Sequence, residues 1–140
     1  MNCTILHATD LSENHYKMCE RAVDIARRFN ADLYLLHVLE TPSSLVLAQG
    51  LGFAEIEDPQ PRLENIKSIM AIIGDTLAIP DNRLLVELGS AKTHILQKAV
   101  DLGCQMIIIG HHSRSEHGLL GNTARRIVDE AHCDVLTLIE

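Results

Sequence analysis

Short, nearly continuous apolar runs alternate along the chain with longer stretches in which apolar residues recur every three or four positions. The first run, Cys3–Thr9, reads as a strand, and it is closed by Asp10-Leu11-Ser12, where Ser12 is a suitable N-cap for a helix. Met18, Cys19, Ala22, Val23, Ile25, Ala26 and Phe29 then repeat at helical spacing and predict a helix with one buried face. Asn30-Ala31-Asp32 interrupts it, and Leu33–Leu39 is apolar almost throughout, as expected of a strand covered on both faces. Further on, Leu63, Ile66, Ile69, Met70, Ile73 and Leu77 mark a helix that ends before Pro80, and Leu84–Leu88 is a third strand. Gly89-Ser90 opens a helix through Ile95, Leu96, Ala99, Val100 and Leu102 that stops at Gly103. Gln105–Ile109 is a fourth strand, 122–131 a helix and Asp134–Ile139 a fifth strand.

Alternation of strand and helix this regular predicts an α/β fold: an open, doubly wound, five-stranded parallel sheet with right-handed crossovers and helices on both faces, Rossmann-like in plan. A length of 140 residues suits a single domain over residues 1–140. The stretch from Glu40 to Pro61 carries Pro42, Gly50, Gly52, Pro59 and Pro61 among apolar residues, and is expected to be a lid, a partly helical excursion or a partner surface. The last strand, Val135, Leu136, Thr137, Leu138 and Ile139, has nothing after it to cover an open edge. Pairing with a second copy would remove that liability, so a homodimer through this strand is expected.

Composition narrows the function. A net charge of -7 opposes binding to nucleic acid, and an aromatic content of 3% with no Trp leaves little for a stacking platform. Cys3, Cys19, Cys104 and Cys133 form no C-x-x-C pair and are expected as buried free thiols in a reducing cytoplasm. No leader-like or membrane-length apolar segment is evident, so no membrane association is expected.

The chemistry concentrates where strands end. After Ile109-Gly110 comes a polar loop, 111–120, and then a helix start at Gly121-Asn122, the place where an α/β sheet presents backbone N–H groups and a helix dipole to an anion. Asp10 holds the matching place after the first strand, either as an acceptor for a nucleoside or as a turn residue working with Ser12. Neither a Walker sequence nor G-x-G-x-x-G is present. His111, His112, Glu116 and His117 could be drawn as zinc ligands, but adjacent histidines on a loop seldom converge, and no metal is expected. His7 and His37 lie within apolar strands and are expected as satisfied core or sheet-end residues. Gly110-His111-His112-Ser113-Arg114 is not a nucleophile elbow, no base or Mg²⁺ carboxylate is positioned, and no enzymatic activity is expected. Arg114, Arg125 and Arg126 are candidate anion contacts, the last two being ordinary for a charged helix face.

Ile5-Leu6-His7-Ala8-Thr9-Asp10-Leu11-Ser12-Glu13, Leu35-Leu36-His37-Val38, Gly89, Ile107-Ile108-Ile109-Gly110-His111-His112 and Cys133-Asp134-Val135-Leu136 occur in an order that resembles the universal stress protein family along the whole chain. The resemblance implies strand order 3-2-1-4-5, an adenine nucleotide alpha hydrolase-like fold, a cytoplasmic homodimer through the last strand, and a role in stress survival through protein partners. Family members that bind ATP carry a loop G-x-x-G-x9-G-[ST]. By that match, nucleotide-binding positions here are Thr9, Asp10, Val38, Gly110, Ser113, Gly121, Asn122 and Thr123. This chain departs from the pattern. Ser113 replaces the second glycine, seven residues rather than nine precede Gly121, and Asn122 replaces the following hydroxyl residue. That shortens the arc of backbone donors around a triphosphate and resembles the universal stress protein A subclass. The expectation is therefore a stress-response protein without a resident cofactor or strong ATP binding, the alternative being an ATP-binding switch built on the loop over residues 110–123.

Overall fold

The computed structural model describes residues 2–40, 43–53, 58–111 and 121–139. In chain order they form β1 (Cys3–Ala8), α1 (His15–Arg28), β2 (Ala31–Leu39), α2 (Ser43–Gly50), α3 (Gln60–Leu77), β3 (Leu84–Leu88), α4 (Ala91–Asp101), β4 (Met106–His111), α5 (Asn122–Glu130) and β5 (Asp134–Ile139). The sheet is five-stranded in the order β3-β2-β1-β4-β5, and every neighbouring pair is parallel. β5 is therefore an edge strand, the position on which the expected pairing with a second copy depends.

Because successive strand residues face opposite sides, each central strand supplies two cores. Ile5, Leu35 and Ile108 pack with Cys19, Ala22 and Ala26 of α1 and Met70 and Ile73 of α3. Leu6, Leu36 and Ile107 pack on the other side with Ile95 and Ala99 of α4 and Ile127 of α5. Covering both faces explains why β2 and β4 read as unbroken apolar runs rather than as alternating ones.

Several local expectations need correction. α1 starts at His15, its N-cap is Asn14, and no side chain caps it. Leu11 adopts a left-handed φ of 55°, and this turn delays the helix beyond Ser12. Ser12 contributes its carbonyl instead, accepting the His15 N–H at 2.9 Å. α3 begins at Gln60, ahead of the first apolar position, because Pro61 suits a helix's first turn. β4 runs on to His111, where Gly110 and His111 continue the ladder with Leu138 and Ile139. The Glu40 to Pro61 stretch, in contrast, agrees with one of its expected readings, since its described residues are partly helical through α2 and the start of α3. Only Cys19 is buried; Cys3, Cys104 and Cys133, near strand beginnings at the opposite rim from the cleft, are half-buried and free.

Candidate functional site

In this strand order the connections leave β1 and β4 in opposite directions, which opens a crevice beyond their C-terminal ends. A cleft of about 580 Å³ lies there, within the range of small-molecule sites. Thr9, Asp10, Val38, Gly110, Gly121, Asn122 and Thr123 all line it. The fold thus brings together every position singled out for a nucleotide except Ser113, which lies outside the described residues together with His112, Arg114, Glu116 and His117. Arg125 and Arg126 are exposed on α5 and are not part of the lining.

The β1 end is held by its own turn. Thr9 is buried, its N–H donates to the Leu36 carbonyl at 2.9 Å, and its Oγ1 accepts the Leu11 N–H at 3.2 Å. Asp10 is exposed, and its Oδ1 accepts the Ser12 N–H at 2.9 Å. The turn role expected for Asp10 and its place in the cleft wall are therefore both observed, and they do not exclude each other.

α1, α4 and α5 each have an N-terminus at this end of the sheet. That of α4 carries side-chain caps: Glu40 accepts the Ala91 N–H at 2.6 Å, and Ser90, the N-cap, accepts that of Thr93 at 3.4 Å. At α5 the N-cap is Gly121, which offers no side chain, and no acidic residue occupies the first turn. The N–H groups there are the natural place for an anion. Among the described lining residues, however, there is no lysine or arginine, while Asp10 and Glu40 contribute carboxylates.

The histidines are where the sequence reading was incomplete. His37 donates from Nδ1 to the Thr9 carbonyl at 2.8 Å, a sheet-end role as expected. His7 is 1% exposed and donates from Nδ1 to Ile108 O at 3.0 Å, but its Nε2 has no partner among the described residues. It is thus only half satisfied. Burial holds its pKa below the ordinary 6.5, although the Ile108 carbonyl and Asp10 oppose the shift, and the ring stays neutral. His15, which the reading passed over, joins the cleft from the start of α1 with Nδ1 2.6 Å from Ser12 O. Glu40 was missed as well; its place directly after β2 was the available signal. Burial pushes the Cys19 thiol up to about 11, so it is no nucleophile at neutral pH.

At the cleft, the described residues do not force glycine at 110 or 121. Among the described residues, a Cβ on Gly110 would meet only Met18 Cε at 3.9 Å, and one on Gly121 would meet nothing within 4 Å.

A doubly wound parallel sheet with a cleft at its topological switch point defines an open α/β protein of Rossmann-like plan. Residues 1–138 match the universal stress protein family, and the chain belongs to it. This places it among proteins with a stress-response role. Universal stress protein A homolog 2 of Coxiella burnetii is 36% identical over 138 residues, spanning 96% of this chain and 92% of the relative. Universal stress protein A of Escherichia coli strain K12 is 27% identical over 133 residues, 94% of this chain and 90% of that one. Among solved structures, the universal stress protein UspA from Lactobacillus plantarum superposes with a TM-score of 0.73 at 22% identity, covering 97% of each chain. A universal stress protein in complex with cAMP gives 0.68 at 18% identity, covering 99% of this chain and 97% of its own. These likenesses agree with the fold and strand order expected from the sequence. Among the described residues no helix is long and apolar enough to cross a membrane.

Proposed function

We propose that this chain is a non-enzymatic, cytoplasmic stress-response protein that works as a homodimer through protein partners. Its cleft takes the nucleoside end of an adenine nucleotide and holds a triphosphate weakly. One observation carries the ligand reading: a cleft of about 580 Å³ at the switch point, with Asp10 and Val38 in its wall but no lysine or arginine among its described lining residues. A triphosphate needs concentrated positive charge or a long arc of backbone donors. Here the Asp10 and Glu40 carboxylates oppose it, and the loop between Ser113 and Gly121 is two residues shorter than in the binding pattern. A protein of this fold solved in complex with cAMP supports an adenine ligand as the chemical class to test.

An ATP-driven switch is the second reading, and the side-chain-free N-terminus of α5 favours it. Mass spectrometry of gently purified protein and calorimetric titration with ATP and Mg²⁺ decide between them. Expected are no retained ATP, no turnover above the protein-free rate, and affinity weaker than low micromolar, a limit of about -8 kcal/mol. Stoichiometric ATP in the purified protein would establish the switch instead.

A further inference from the structure

Among the described residues, four large apolar side chains are left exposed in one short stretch, Val46, Leu47, Leu51 and Phe53, with Leu47 64% and Phe53 83% exposed. Neither core takes up a described residue of 43–53, and none of these residues lines the cleft. The stretch is held by its own backbone instead. Leu51 N–H donates to Leu47 O at 3.0 Å, Gly52 N–H to Gln49 O at 3.2 Å and Phe53 N–H to Ala48 O at 2.8 Å, with Gly52 at φ +79°. That is a Schellman closure, which fixes where α2 ends and where Phe53 leaves it. Leu47 and Leu51 stand one turn apart on the same side of the helix axis. So dense an apolar surface, outside both cores and outside the cleft, marks a contact with another molecule.

Charge decides what covers this face. No residue from Thr41 to Ala54 is charged, whereas residues 40–66 hold five carboxylates, Glu40, Glu55, Glu57, Asp58 and Glu64, against the single Arg62. A second copy would bring the same acidic surround to this one, and an anionic lipid surface would be repelled in the same way. A cationic partner is attracted, and α2 itself has no charge to desolvate on docking. We infer that the Leu47, Leu51 and Phe53 face of α2 docks a basic amphipathic helix of a partner protein. The inference rests on the reading that the chain works through protein partners, and it gives the partner's chemistry. Apolar residues of the partner, one turn apart, cover Leu47, Leu51 and Phe53, while its lysines and arginines answer the acidic flanks, Glu40 and Asp58 among the described residues. Because the Schellman closure sets the face in advance, little order has to be imposed on this side.

Fluorescence anisotropy of the full chain with labelled peptides tests this, using a Leu/Lys amphipathic helix, the same residues in scrambled order, and a Leu/Glu amphipathic helix. The Leu/Lys helix should bind most tightly and weaken as salt is raised. Leu47→Ser and Phe53→Ser should each weaken it about tenfold, the worth of one buried large side chain, with thermal melts unchanged at positions so exposed. Variants that bind like the wild type overturn the α2 face while leaving the partner reading standing. A wild type that binds none of the peptides, or the scrambled or Leu/Glu peptide equally well, does the same. Phosphatidylcholine vesicles that take up the wild type but not Phe53→Ser would make the face a lipid contact, and a light-scattering mass that falls in Phe53→Ser would make it a contact between copies. Either result overturns the inference. A tagged full chain that captures no protein from the lysate of its host defeats the partner reading itself, and this inference with it.

Discussion

His7 on β1 donates its Nδ1 proton to the carbonyl of Ile108 on the adjacent β4, 3.0 Å away, while its Nε2 is buried without a partner among the described residues. Burial depresses the folded-state pKa below 6.5, so on acidification the unfolded chain takes up this proton first. Stability from the neutral ring is complete above the unfolded value and is lost as pH falls below it. The loss is up to about 1.4 kcal/mol per pH unit until the folded pKa is reached. Urea unfolding between about pH 7.5 and about pH 5 should show that decline, and His7→Leu should flatten it. Equal slopes for the two proteins would refute the assignment.

Glu87, at the end of β3, accepts from His94 Nδ1 at 2.6 Å and from Lys98 Nζ at 2.8 Å. Burial pushes its carboxyl up, but hydrogen bonds from Lys98 and His94 outweigh this and hold its pKa below the ordinary 4.5. The sign is that of an acid with a lowered pKa. Its contribution is complete above about pH 4.5 and disappears as pH falls through the folded value. Glu87→Gln is expected to cost about 1.5 kcal/mol at neutral pH and to remove this acid-side slope, as read by denaturant melts. An unchanged midpoint in Glu87→Gln would mean that solvent screening cancels the network.

The same network fixes a glycine. Gly89 has φ +143°, and a Cβ there would lie 2.5 Å from Nε2 of His94, a ring already tethered to Glu87. Gly89→Ala is therefore expected to destabilise by about 1–3 kcal/mol. Gly110→Ala and Gly121→Ala should stay within about 1 kcal/mol of the parent, since neither Cβ meets a close neighbour among the described residues. Thermal melts of the three variants check the contrast. A large loss at Gly110 would contradict the room left there by the described residues.

Helical and strand periodicity located the elements because α1, α3 and α4 each bury one stripe and the central strands bury both faces. Strand order was accessible only through the family resemblance, since periodicity does not say which strands are neighbours. The cleft residues at strand ends, Asp10, Val38 and Gly110, were legible for a topological reason: doubly wound sheets place ligands at that rim. What remained hidden depends on side-chain partners. Nothing in the run Ile5-Leu6-His7-Ala8 tells that one nitrogen of His7 finds Ile108 O and the other finds no partner among the described residues. Nor does Pro42 after Glu40 reveal that this carboxylate turns back to cap α4. The start of α1 was misplaced because the left-handed turn at Leu11, a residue that rarely adopts it, has no signature in composition.

β5 supplies the last prediction. It is an edge strand whose partner β4 covers one side only, and Ile139 near its end is 60% exposed. One carbonyl there, that of Ile139, is taken by Arg21 Nη1 at 2.7 Å, which ties the strand end to α1. An exposed apolar edge of this kind invites association with a second copy, and closure by a two-fold pairing uses it up. Light scattering of the wild type is expected to give twice the 15.5 kDa of the chain. Ile139→Lys places a charge on each copy at the proposed contact and should shift the population to monomer, with monomer stability changed by no more than about 0.5 kcal/mol at so exposed a position. A wild type that scatters as a monomer at working concentration removes the dimer. A dimer that survives Ile139→Lys at micromolar concentration moves the contact away from this end of the strand.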